Sequence, residues 1–196
     1  SPAAAPTTAA PTTPPASTGN TWEVTDQSKV TVRVNEQLAN VSAPNDAVLS
    51  TNAVSGAFEL RADGTFTADS KITVDLTTLR SDRSQRDDFI RSNTLETDRF
   101  PKAEFAPTRT AGLALPLPAS GEFTFALTGK MTIHGVEKET TFDVTAKRAG
   151  GELTATATAN PSFVFGDFGM EQPRVLSVLS VQDEIRLEVE LVARLR

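Results

Sequence analysis

The 196-residue chain has no cysteine, no tyrosine, one histidine, one tryptophan and two methionines. Without cysteine there is neither a disulfide framework nor a thiolate metal site. With one histidine and no carboxylates clustered at ligand spacing, no metal or other cofactor is expected. No apolar run approaches the roughly 18 residues of a membrane-spanning helix. A net charge of −6 and a pI near 4.9 leave out the basic footprint that nucleic-acid binding requires, so no nucleic-acid partner is expected.

Catalytic sets are equally thin. His134 stands in Thr132-Ile133-His134-Gly135, where a turn after an apolar strand accounts for it. No Gly-x-Ser-x-Gly elbow accompanies it. Asp87-Asp88 is the one adjacent carboxylate pair considered for acid–base work. Neighbouring helical residues point about 100° apart, and Arg83, Arg86 and Arg91 are at hand, so salt bridging explains the pair better. Asp167-Phe168-Gly169 lacks every other part of the kinase set and carries no kinase reading.

What is abundant is phenylalanine, with eleven copies. Phe brings apolar area without a polar handle, which suits a thick dry core or a greasy cavity. Most of the chain alternates apolar and polar residues, the period of strands with one buried face. Val30, Val32 and Val34 alternate with Thr31, Arg33 and Asn35; Val54, Gly56, Phe58 and Leu60 follow, before an Asp63-Gly64 turn. The run Thr65 to Leu79 aligns Ile72, Val74 and Leu76. It is long for one strand and is expected to bend. Lys102 to Thr110, with Phe105, reads as a strand interrupted by Pro107, and Gly112 to Gly121 as a loop. Phe123, Phe125, Leu127, Met131 and Ile133 lead to the His134-Gly135 turn, and Val136, Phe142, Val144 and Ala146 return from it. After Gly150-Gly151 comes a small-residue strand, Leu153, Ala155, Ala157 and Ala159, which leaves room beside it. Pro161 to Gly169 holds Phe163, Phe165 and Phe168, and Ile185, Leu187, Val189, Leu191, Ala193 and Leu195 form the last amphipathic strand.

One stretch breaks the pattern. In Arg80 to Phe105 the residues Arg83, Asp87 and Arg91 fall four apart, a ladder of alternating charge on a helix. Asp82 or Ser84 is expected to cap it and Asn93 to end it. Phe89, Ile90, Leu95 and Phe100 need an apolar surface, so the insert plugs a barrel end or joins two strands. Six basic and six acidic residues lie between Arg80 and Glu104 and cancel; an arginine left unpaired there could still hold a diphosphate.

Residues 1–20 are Pro, Ala, Thr and Ser with one Gly and a final Asn. They cannot offset their ordering entropy and read as an extended linker ahead of a domain over 21–196. A start at Ser1 suggests processing. Two expectations follow: a lipid-anchored cysteine upstream of Ser1, serving as a membrane tether, or an ordinary secreted protein. About eight antiparallel strands make an all-β domain, and periodicity alone leaves sandwich and barrel both open.

Several motifs in order resemble the YceI-like domain, a bacterial family of lipocalin-like barrels that bind polyisoprenoid lipids. They are Trp22, Asp26 and Ser28; Gly56-Ala57-Phe58; Arg86-Asp87 with Phe89-Ile90; Phe100-Pro101 through Phe105; Gly129 through Gly135; and Asp167-Phe168-Gly169-Met170. The resemblance implies an eight-stranded antiparallel barrel with one short helix near its mouth. Its apolar tunnel would hold an isoprenoid chain, as monomer or homodimer, outside the cytoplasm and without catalysis. Candidate lipid contacts are then Val32, Val34, Phe58, Leu60, Ile72, Val74, Leu76, Phe89, Ile90, Leu95, Phe100 and Phe105. From the second half come Phe123, Phe125, Leu127, Met131, Phe142, Val144, Phe163, Phe165, Phe168, Leu187 and Val189. Arg83, Arg86 and Arg91 are candidate head-group contacts. Family members often carry His where this chain has Gln27, and Arg where it has Phe165. A quinone-like or neutral lipid therefore fits the resemblance as well as a prenyl diphosphate does. Two other readings stand beside it: a β-sandwich interaction module with a filled core, and a hydrolase or isomerase using His134.

Overall fold

The computed structural model describes residues 21–39, 43–174 and 178–196. The expected linker over 1–20 lies outside them. Eleven strands form one sheet: β1 (Thr21–Val24), β2 (Lys29–Leu38), β3 (Asn45–Thr51), β4 (Val54–Glu59), β5 (Lys71–Asp75), β6 (Lys102–Ala111), β7 (Ser120–Ile133), β8 (Val136–Ala149), β9 (Glu152–Ala159), β10 (Phe163–Val164) and β11 (Val178–Leu195). β1 and β2 both pair along one edge of β11, and β4 and β3 pair in turn with β1 and β2. Each couple is therefore one interrupted stave. From β4 the sheet runs through β5, β6, β7, β8 and β9 to β11, and β11 closes it on β1. The result is an eight-stave, closed, antiparallel barrel. A sheet closed on itself has no unpaired edge and no second sheet to pack on, so the sandwich alternative is not this architecture.

Local chemistry sets the joints. At the β7–β8 hairpin His134 and Gly135 both take positive φ, 52° and 75°, as a two-residue turn of matching twist requires. β6 runs straight through Pro107, with a register shift between Pro107 and Arg109 that absorbs the missing N–H. Opposite Pro107 stands Gly129, where a Cβ would lie 2.5 Å from the Ala106 carbonyl oxygen and 2.5 Å from the Phe105 ring. Only glycine lets those strands and that ring approach so closely.

The run Thr65 to Leu79 does bend. Thr65 and Phe66 make isolated bridges, and Ser70, 3% exposed, receives the Glu59 N–H on its hydroxyl. β5 starts only at Lys71, and a 3-10 turn over Leu76–Thr78 ends it.

Between β5 and β6 sits α1 (Ser84–Phe89), the one α-helix among the described residues, continued by a π turn over Ile90–Thr94. Its start differs from expectation. Arg83 is the residue before the helix and offers no side-chain cap, and neither Asp82 nor Ser84 serves. Asp87 instead fastens the turn ahead of the helix: one carboxylate oxygen accepts the Ser81 N–H at 2.8 Å and its hydroxyl at 2.7 Å. This turns Asp87 inward, 4% exposed, so the Arg83-Asp87-Arg91 ladder does not form. The pairs made instead are Arg86 with Asp82 and Glu36, Arg83 with Asp82, and Arg91 with Asp88. Asn93, as expected near the end, donates to the Phe89 carbonyl.

Candidate functional site

Inside the barrel is a cavity of about 230 Å³. One water needs about 10–15 Å³ of such space, so this is far more than a packing defect. Every stave contributes to the wall: Val32 and Val34, Phe58, Ile72 and Val74, Phe105, Phe125 with Leu127 and Met131, Phe142 and Val144, Leu153 with Ala155 and Ala157, Leu187 and Val189. Leu76, Ile90, Leu95, Phe163 and Phe165 also line it, the last four toward the insert end of the barrel. Among the lining residues only Thr94 and Glu104 have polar side chains, and the Glu104 carboxylate is held by Lys71 at 3.0 Å. The side chains themselves register the space. Val32, Phe58, Ile72, Val74, Phe125, Leu127 and Val189 point inward, yet they are only partly buried.

Five of the expected contacts lie outside this cavity's wall, each for a local reason. Leu60 is bridged to Phe66, which takes the lining position. Phe100 packs on the His134 ring, centroids 4.5 Å apart. Phe123 sits beside Gly121 at the far end of β7. Phe168, 1% exposed, meets Phe163 edge to face at 5.1 Å behind the wall. Phe89 lines a second, smaller cavity at the insert end. Sequence reading missed Leu49, Phe66, Leu79 and Met170 as lining residues, and it noted Ala155 and Ala157 only as making room. Parity along β3 would have found Leu49, since it faces Val32 across the ladder.

The three arginines do not converge on the cavity as free cations. Arg86 donates to Glu36 with one nitrogen and to Asp82 with another. Arg91 donates to Asp88 and toward the Leu79 carbonyl. Arg83 is half-exposed, 3.8 Å from Asp82. Among the described residues no three His, Asp or Glu side chains come together as metal ligands.

His134 is engaged in holding the insert. Its Nε2 lies 2.6 Å from Glu96 Oε2, and Arg99 donates to the other Glu96 oxygen at 3.0 Å. Arg99 also stands 5.0 Å over the Phe100 ring. These contacts tie the end of the insert to the β7–β8 turn. The hydrogen bond from His134, then that from Arg99, holds the Glu96 carboxyl below its ordinary value of 4.5. A depressed carboxyl stabilises the fold above its unfolded pKa, and that contribution is lost as pH falls through the folded one. Amide exchange at residues 94–100, corrected for intrinsic rates, is therefore expected to quicken as pH drops below about 4.5. In a Glu96→Gln variant the same segment should exchange faster already at neutral pH and show little of that dependence.

Comparison with known proteins bears on this barrel. The YceI-like domain profile matches residues 22–193. A UPF0312 protein of Pseudomonas putida (strain W619) is 35% identical over 134 residues, 59% of this chain and 63% of its own length. A UPF0312 protein of Pseudomonas fluorescens (strain SBW25) is 35% identical over 124 residues, 57% of this chain and 61% of its own length. The matched region thus spans somewhat under two thirds of these curated relatives. Among solved structures, a polyisoprenoid binding domain from Saccharophagus degradans, implicated in plant cell wall breakdown, superposes with a TM-score of 0.68 at 12% identity, covering 89% of this chain and 98% of its own. Burkholderia cenocepacia BcnA gives 0.64 at 22% identity, covering 86% and 98%. At such identities these two attest the fold. With the profile running from β1 into β11, the chain belongs to the YceI-like domain family.

Proposed function

We propose that this barrel binds and carries an isoprenoid-type lipid in its interior, without catalysing a reaction on it. One observation carries the reading: inward apolar side chains from all eight staves border unfilled space, even where rings such as Phe105 and Phe142 also meet edge to face. A wall of this kind offers a hydrocarbon chain burial worth about 0.8 kcal/mol per CH₂, less the cost of ordering the chain. Ten carbons suffice for useful affinity without any polar contact. The polyisoprenoid binding named for the Saccharophagus degradans domain of the same fold supports the choice of chain. The geometry favours a structural role for His134 over the hydrolase reading, because it lines neither cavity and joins the insert to the β7–β8 turn through Glu96 and Phe100.

The ligand would lie along the barrel as in a tunnel, with its tail toward Phe58 and Phe66 and its polar end toward the insert. The domain would occupy 21–196, with residues 1–20 as the expected tether to an extracytoplasmic surface. The test is equilibrium titration of the delipidated protein with geranylgeraniol. A saturable one-to-one isotherm is expected; titration without saturable binding of this or any longer prenyl chain would remove the proposal.

A further inference from the structure

The second cavity, of about 140 Å³, adjoins the first, and Val34, Leu49, Ile90 and Phe165 line both. Its wall is more polar, with the charged side chains of Glu36, Arg83 and Arg86. Glu36 arrives there by strand parity: it continues the inward row Val30, Val32, Val34 on β2, and is 5% exposed. A buried carboxylate needs a partner, and Arg86 from α1 supplies it, the two side chains being 13% and 6% exposed. The same guanidinium donates to Asp82 and reaches Ser81 Oγ at 3.4 Å. One cation thus stands between two carboxylates. Arg83, the other cation of this wall, stays half-exposed on the solvent side near Asp82. Asp82 lies outside the cavity wall, so the wall's two cations are offset by Glu36 within it and by Asp82 at its solvent side, where a ligand's polar head would emerge.

We propose that Glu36 is a specificity-determining residue: by occupying Arg86, it keeps this compartment neutral and so excludes prenyl diphosphates in favour of uncharged, hydrogen-bonding heads. The inference rests on the lipid-carrier reading above and adds which lipids are refused. A diphosphate needs arginine forks free to bond its oxygens. Here it would have to displace a carboxylate already seated on Arg86, whose side chain is 13% exposed. A hydroxyl or carbonyl needs only one donor or acceptor and brings no charge to be desolvated.

The experiment measures the affinity ratio between geranylgeraniol and geranylgeranyl diphosphate, which share one tail, on the delipidated full chain. The wild type is expected to favour the alcohol by about tenfold or more, the scale set by one unmade charged contact. Glu36→Gln keeps the size and a hydrogen-bond acceptor but releases Arg86, and it should shift the ratio toward the diphosphate by about tenfold. Asp82→Asn lies at an exposed surface position that the fold tolerates, and should move the ratio the same way by a smaller factor. Equal affinities in the wild type, or a ratio unmoved by Asp82→Asn and by a folded Glu36→Gln, would overturn the role of Glu36 while leaving the carrier reading intact. Failure of the wild type to bind either lipid would overturn the carrier reading, and this inference with it.

Discussion

An Ala157→Trp variant is expected to fold as the wild type does and to lose its lipid affinity by about tenfold or more, equivalent to 1.4 kcal/mol per decade. Ala157 lies on β9 with Ala155, and both line the large cavity from strand positions where a small side chain leaves the space open. Ala157 faces Val144 on one neighbouring strand and Val189 on the other, so its Cβ points into the barrel. An indole there enters space that is unfilled, and it displaces ligand before it displaces protein. Overpacking a filled core costs roughly 1–3 kcal/mol, which for a domain of this size lowers Tm by about 2–12 °C. A vacant chamber predicts the opposite pair of results: lipid binding lost, Tm held or raised. Calorimetry and a geranylgeraniol titration on the same sample separate the two. A large Tm loss with binding retained would mean that the space beside Ala157 is not where the ligand lies.

Arg86→Ala should be the most destabilising single change in the insert. It leaves the Glu36 carboxylate buried without the cation that offsets it. Truncating one partner of a buried pair costs about 3–5 kcal/mol, a fall in Tm on the order of 10 °C at this chain length. The pair itself is a different matter. Replacing both residues with methionine should recover most of the loss, because the desolvation of two charges roughly cancels their attraction. Chemical denaturation of the wild type, Glu36→Met, Arg86→Met and the double methionine variant forms a closed cycle. An Arg86→Ala variant within about 0.5 kcal/mol of the wild type would show that Glu36 is solvated and that the insert end is open, against its burial here.

Much of the barrel is readable from alternation alone. Phe125, Leu127, Val144, Leu187 and Val189 follow period two and line the cavity from β7, β8 and β11. The closure of β11 on β1 is not readable that way, since Trp22 and Leu195 pair across nearly the whole chain with no local signal. The resemblance to a known family supplied it. The insert was harder still. Spacing by four assumes a solvent-facing helix, whereas Asp87 is pulled inward by a serine that precedes the helix. Glu36 was overlooked for a related reason: a charged residue after three alternating valines reads as a strand end, although its parity is that of the core. A polar residue on an apolar face is where pattern and function part company.

Gentle purification followed by native mass spectrometry tests the central claim most directly, because it asks what fills the cavity before any ligand is chosen. One molecule of a prenyl-chain lipid per barrel, with an uncharged head and lost in Ala157→Trp, is the predicted result. A wild-type barrel that emerges empty and refuses such lipids when they are offered would contradict it.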